Sequence, residues 1–311
     1  MLDPELAVIL AAAAEAAGEV PPPPVGDALA LRAQTDGLLA QFNDGEVDPP
    51  DVSRTDHEIA VDGGSIMVRW YAKAGQSPGS AVVYAHGGGM VCGTAELYDR
   101  AVAGYTHRTG VPFLSVDYRL APERSGESLV RDTFAGLQWL LTNADTLGVD
   151  RNRVAIMGDS AGGGIAAGVA ILARDQAVPL ARQILIYPML DDTNIDTDPE
   201  LAQFASWSYD SNLTGWGALL GEARGTAAAS PLAAPSRLAD HTGLAPAFID
   251  VGDMDIFRDE DIRYALALLG AGVPTELVVR PGCIHGFDRM GPETGVGRRS
   301  WDDRDRVIRS L

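Results

Sequence analysis

The chain has 311 residues, 46% of them hydrophobic, which is enough for one large core or two small ones. Its formal charge of −19, from 43 acidic against 24 basic residues, argues against nucleic acid and anionic membranes as partners. Lys73 is the single lysine, and the acid excess reads as a solubility device. Cys92 and Cys283 show neither metal-ligand spacing nor a disulfide framework. The apolar run Leu6 to Ala14 follows Asp3 and Glu5, where a secretory leader would carry positive charge, and it is too short to span a bilayer. A cytoplasmic location is therefore expected. No internal repeat is present.

In chain order, residues 1–50 predict two helices separated by Pro21-Pro22-Pro23-Pro24, a stretch that cannot be helical. Strand-like runs follow at Glu58 to Val61, Ile66 to Tyr71, Ala81 to Ala85, Phe113 to Val116, Val154 to Met157, Ile184 to Tyr187, Ala247 to Val251 and Glu276 to Val279. The later ones are short and continuously apolar, as strands covered on both faces are. Between them, Leu129, Phe134, Leu137 and Leu141 mark one helical face ahead of Gly148, and Ile262, Leu266 and Leu269 mark another ahead of Gly270. Strand alternating with helix predicts an α/β fold with a mostly parallel, doubly wound sheet. Residues 190–232 break the rhythm, with Trp207, Trp216 and little strand character. They read as a helical insertion that joins residues 1–50 as a lid over a core formed by residues 51–189 and 233–311.

The sharpest local signal is Gly158-Asp159-Ser160-Ala161-Gly162, between the strand Val154 to Met157 and a glycine-rich helix. A strand that folds straight back into a helix projects its turn residue, and the flanking glycines remove clashing Cβ atoms. Ser160 is thereby the candidate nucleophile, with the Ala161 N–H beside it. Gly162-x-Gly164-x-x-Ala167 also fits a loose dinucleotide pattern, but no acid stands about 20 residues on to hold a ribose hydroxyl, so helix–sheet packing explains these glycines better.

Three further pieces extend the pattern. His86-Gly87-Gly88-Gly89 follows the strand Ala81 to Ala85, and its unencumbered amides suit an oxyanion, with Gly88 and Gly89 joining Ala161 as donors. Asp253 and Asp255 both lie just past the strand Ala247 to Val251, at the strand ends where ligand chemistry collects. Asp255 is the better candidate acid, because its segment leads directly into a helix; Asp253 would cap the turn, and Asp259 and Glu260 would form a solvated first helical turn. His285, between Gly282 and Gly286 and after the last strand, completes the order nucleophile, acid, base. His57 precedes the sheet, His107 sits in a helix and His241 in a polar loop, so none of these suits the base. Met90, Trp207, Ile256 and Phe257 are candidate pocket residues, with packing as the competing role.

Taken together, His86-Gly87-Gly88-Gly89, Asp117-Tyr118-Arg119-Leu120-Ala121-Pro122-Glu123, Gly158-Asp159-Ser160-Ala161-Gly162-Gly163, Asp255-Ile256-Phe257-Arg258-Asp259-Glu260 and His285-Gly286-Phe287 resemble the hormone-sensitive-lipase-like family of α/β-hydrolase esterases. The resemblance covers about residues 55–288. It implies an eight-stranded α/β-hydrolase core, a helical cap from the N-terminal segment plus an insertion, cofactor-free hydrolysis of carboxylic esters, and homodimers as a common state. The chain departs from the family pattern at Arg124-Ser125-Gly126-Glu127-Ser128 and at Met90, where a large aromatic is frequent. A small-molecule ester with a short to medium acyl chain is the expected substrate. An amidase or peptidase would use the same three residues, a ligand-binding module would be expected to lose one of them, and an interfacial lipase would need an apolar surface that the strong acidity disfavours.

Overall fold

The computed structural model describes residues 1–17 and 21–311 of the chain. Eight strands form one sheet in the order β1-β2-β4-β3-β5-β6-β7-β8. They are β1 (Val52–Val61), β2 (Gly64–Lys73), β3 (Ala81–Ala85), β4 (Phe113–Asp117), β5 (Val154–Asp159), β6 (Arg182–Ile186), β7 (Ala247–Gly252) and β8 (Thr275–Arg280). β2 runs antiparallel to β1 and β4, and every other pairing is parallel. All eight expected strands are present. β1 begins earlier than its apolar run, so His57 lies inside the sheet, its ring 4.6 Å from that of Trp139, rather than ahead of it.

The helices are α1 (Pro4–Ala17), α2 (Ala28–Gly45), α3 (Asp99–Thr109), α4 (Ser128–Thr142), α5 (Ala144–Leu147), α6 (Ala161–Asp175), α7 (Pro199–Ala202), α8 (Tyr209–Leu220), α9 (Arg258–Gly270), α10 (Phe287–Met290) and α11 (Gly295–Arg309). The two-residue pleat of the strands sorts their side chains onto two cores. Ala81, Val83 and Ala85 of β3 face a cluster with Phe134 and Leu137 of α4 and Ile165 and Val169 of α6. Val82 and Tyr84 face the opposite cluster, with Val102 of α3 and Val307 and Ile308 of α11. That double coverage is why β3, β5 and β7 are buried along their whole length.

The α6 glycines are packing devices, as expected from the sequence. A Cβ on Gly162 would stand 2.0 Å from the Ala85 carbonyl oxygen, and one on Gly164 would stand 2.1 Å from that of Met189. The apolar stripe of α9 is a different matter. The helix forms where expected, yet Leu266 and Leu269 face solvent, while Glu260, Asp261, Tyr264, Ala265 and Leu268 face the protein. The N-terminal segment and the 190–232 segment meet, as the Gly26 N–H donates to Thr214 Oγ1 of α8 at 2.9 Å. Among the described residues no helix is long and apolar enough to cross a membrane.

Candidate active site

β5 ends at Asp159 and α6 begins at Ala161, so the whole reversal falls on Ser160, whose φ is 56° and ψ −120°. That conformation is strained for a residue with a Cβ and persists because its surroundings impose it. The Ser160 N–H donates to the Ile186 carbonyl at 2.8 Å, and its own carbonyl accepts from the N–H groups of Gly164 (3.1 Å) and Met189 (2.9 Å). A serine at a helix N-cap usually turns its hydroxyl onto the first-turn amides. Here it makes no such bond, and Oγ lies 2.9 Å from His285 Nε2 instead.

His285 follows β8, and its Nδ1 lies 2.8 Å from Oδ2 of Asp255, the third residue after β7. An ionised carboxylate only accepts, so Nδ1–H donates to it, Nε2 is the acceptor and the Ser160 hydroxyl donates. The second Asp255 oxygen accepts the Phe257 N–H at 2.9 Å, which fixes the carboxylate plane. The imidazole is held at its edges by Tyr187, with ring centroids 4.6 Å apart, and by Phe257 at 5.0 Å and perpendicular. Asp253 serves a separate purpose, since its Oδ1 accepts the Gly282 N–H at 2.6 Å and so fixes the loop that leads to His285.

The glycine loop lies against Ser160, since a Cβ on Gly87 would stand 3.4 Å from Ser160 Cβ. Gly88 has φ +127° and Gly89 φ +58°, values that disfavour any side chain, and a Cβ on Gly88 would meet the Cys92 carbonyl oxygen at 2.1 Å. Among the described residues no hydrogen bond engages the N–H of Gly88 or Gly89. His86 is fully buried, stacks on Tyr118 with centroids 4.2 Å apart, and is pushed below the usual imidazole range by that burial.

The structure distributes the four pocket candidates unevenly. The Trp207 ring lies on Gly89, where a Cβ would stand 2.2 Å from Cζ2. Phe257 contacts His285, and the Ile256 carbonyl accepts from Asn194 Nδ2 at 2.8 Å. Met90 is only 1% exposed and belongs to the core cluster, with its methyl group beside Gly164.

Several supporting residues have roles that the sequence did not assign. Ser206 Oγ, from the 190–232 segment, donates to the His285 carbonyl at 2.6 Å. Glu260 corrects the expectation of a solvated first turn. It is 2% exposed and accepts from the Leu190 N–H (2.6 Å), the Asp191 N–H (3.1 Å) and Asn194 Nδ2 (2.7 Å), and burial holds its carboxyl well above the usual range. Asp259 is exposed, as expected. Behind Ser160, Tyr84 donates to Asp159 Oδ2 at 2.9 Å, and burial, opposed by the nearby Arg304 charge, pushes Asp159 up to about 6. Arg304 also bonds Asp250 and Asp288, and Asp288 accepts the Tyr187 hydroxyl at 2.9 Å, so a buried ionic network abuts the ring that touches His285.

The chain resembles known proteins over most of its length. A family model described as alpha/beta hydrolase fold matches residues 82–289. Ethyl acetate hydrolase of Pseudomonas putida is 30% identical over 93% of both chains, and esterase LipI of Mycobacterium tuberculosis is 35% identical over 74% of both. The solved structure of a bacterial heroin esterase superposes with a TM-score of 0.88 at 34% identity, covering 99% of this chain and 97% of that one. With family motifs and fold in agreement over most of its length, the chain belongs to the hormone-sensitive-lipase-like esterases of the α/β-hydrolase superfamily, enzymes that hydrolyse carboxylic esters.

Proposed function

We propose that the protein hydrolyses short- to medium-chain carboxylic esters of small molecules through an acyl-enzyme on Ser160. What supports the reading above all is the chain of contacts Ser160–His285–Asp255, at 2.9 and 2.8 Å, beside a glycine loop with unengaged amides. The Ser160 hydroxyl attacks the ester carbonyl while His285 Nε2 takes its proton, and Asp255 stabilises the imidazolium that forms. The N–H groups of Gly88, Gly89 and Ala161 receive the developing oxyanion, each such donor being worth about 10²–10³ in rate. His285 then returns the proton to the departing alcohol, and a water deacylates Ser160 with the same base.

Residues 1–50 and 190–232 act as a helical cap in this reading. Trp207 is the cap residue best placed to touch substrate, because it lies on Gly89. The excess of acid supports a soluble cytoplasmic enzyme, and the outward Leu266 and Leu269 beside the edge strand β8 support a homodimer. A nitrophenyl ester series of increasing acyl length, run beside the matching nitroanilides, tests the assignment. Turnover should peak at short to medium chains and favour ester over anilide, and Ser160→Ala should lower kcat by about 10⁴–10⁶. Activity retained in Ser160→Ala, or anilides cleaved as fast as esters, would overturn it.

A further inference from the structure

A glycine-rich loop does not hold its amides in place by itself, because the freedom that admits positive φ also admits neighbouring conformations. The loop from Gly87 to Gly93 closes one internal turn, in which the Val91 and Cys92 N–H groups donate to the Gly88 carbonyl at 3.1 and 2.8 Å. That turn ties Gly88 to residues 91–93, so whatever fixes 91–93 also fixes the direction of the Gly88 and Gly89 amides.

What fixes them is α2, far earlier in the chain. Arg32 Nε donates to the Val91 carbonyl at 2.5 Å, and Nη2 donates to the Ala121 carbonyl at 2.7 Å. The same guanidinium forks onto Glu123, with Nη1 and Nη2 at 2.8 and 2.7 Å from its two oxygens. Asp36, four residues on and thus on the same helix face, accepts the Gly93 N–H through Oδ1 at 2.7 Å. The helix therefore grips the return turn on both sides of Cys92, once at a carbonyl and once at an amide. Cys92 itself is an inert filler, its thiol buried and pushed up to about 12 by that burial. The Arg32 bond also holds Glu123 down at about 2.

We propose that Arg32 and Asp36 are positioning residues for the oxyanion hole: they aim the Gly88 and Gly89 amides through residues 91–93 and touch no substrate. The inference rests on reading those amides as the oxyanion donors. It makes α2 part of the machinery that assembles the hole, so displacement of the N-terminal segment and loss of the hole are one event.

The test uses the full chain with Arg32→Ala, Arg32→Lys, Asp36→Ala and Asp36→Asn. Each is measured for kcat and KM on nitrophenyl butyrate, for inhibition by a trifluoromethyl ketone, which forms a hemiketal oxyanion on the nucleophile, and for thermal midpoint. The alanine variants should lose about 10- to 100-fold in kcat with KM little changed, and should bind the ketone more weakly in the same proportion. Asp36→Asn, whose amide oxygen still accepts from Gly93, should stay within about 3-fold of wild type, while Arg32→Lys, which keeps charge but loses the fork, should lose about 5- to 10-fold.

Variants that melt earlier yet keep wild-type kcat and ketone affinity would overturn the proposal, as would Asp36→Asn falling with Asp36→Ala. Should either alanine variant fail to fold, Arg32→Lys carries the decision: a loss of about 5- to 10-fold in kcat and in ketone affinity supports the proposal, and wild-type values overturn it. A failure of the underlying site reading looks different: Ser160→Ala would then retain turnover, or wild type itself would ignore the ketone.

Discussion

Replacing Asp159 by asparagine removes one titratable proton from the position directly before Ser160, and its effect lies in how stability responds to pH. Asp159 is buried, one carboxylate oxygen accepts from Tyr84, and the other has no partner among the described residues. Burial is the main cause of its raised value of about 6, against an ordinary 3.8, with Arg304 pulling the other way. Because the folded value lies above the unfolded one, the folded state holds the proton more tightly. The associated stability is complete below about pH 3.8, declines as pH rises, and is lost above about pH 6. The difference between 3.8 and about 6 corresponds to about 3 kcal/mol in total, of which about 2 kcal/mol falls between roughly pH 4.5 and pH 7. Asparagine does not titrate, and its oxygen can still accept from Tyr84. Asp159→Asn should therefore gain about 2 kcal/mol on wild type between those two pH values, whatever its offset at the lower one. Urea unfolding of both proteins at each pH, with equal m-values, reads this difference, since the variant shares every other titrating group. A difference that is flat with pH, or one that moves against the variant as pH rises, would refute the account.

The loops around Ser160 and His285 support two more tests. Asp255→Asn should lower kcat by about 10⁴, because the amide offers His285 Nδ1 the wrong partner, whereas Asp253→Asn, whose oxygen can still accept from Gly282, should cost less than about 10-fold; steady-state kinetics of the pair decides, and the reverse order would reassign the acid. Gly89→Ala would place a Cβ 2.2 Å from Trp207 and should cost about 10² or more in kcat, part of which Trp207→Ala in the same chain should restore; a strictly additive double variant would show that the two residues do not meet.

Every group assigned to chemistry sits within a local pattern, which makes it legible in the sequence. Ser160, His86 to Gly89, Asp255 and His285 each follow an apolar run of strand length, and each is marked by glycines or acids within a few residues. The backbone at these points has little choice: Gly88 and Gly89 must take positive φ, and Ser160 must turn within one residue. The strands are legible for a related reason, because strands buried on both faces read as short, mainly apolar runs, with only isolated polar residues such as Ser115 and Asp250 inside them.

The residues that hold this chemistry in place have no such mark. Arg32 and Asp36 meet their loop across 59 and 57 residues, Ser206 meets His285 across 79, and Glu260 meets Leu190 across 70. α9 shows how this misleads a local reading. Arg258-Asp259-Glu260-Asp261 is four charges in a row, and the usual cost of desolvating a carboxylate assigns such a run to solvent, with Ile262, Leu266 and Leu269 left to define the inner face. The helix turns the other way, with Glu260 inside, because the segment after β6 presents the Leu190 and Asp191 amides and the Asn194 side chain, donors that need an acceptor at that point. Those donors in turn exist because the 190–232 segment leaves the sheet there. The inward face of α9 is thus set by the 190–232 segment it anchors, and a reading confined to α9's own residues holds no information about it.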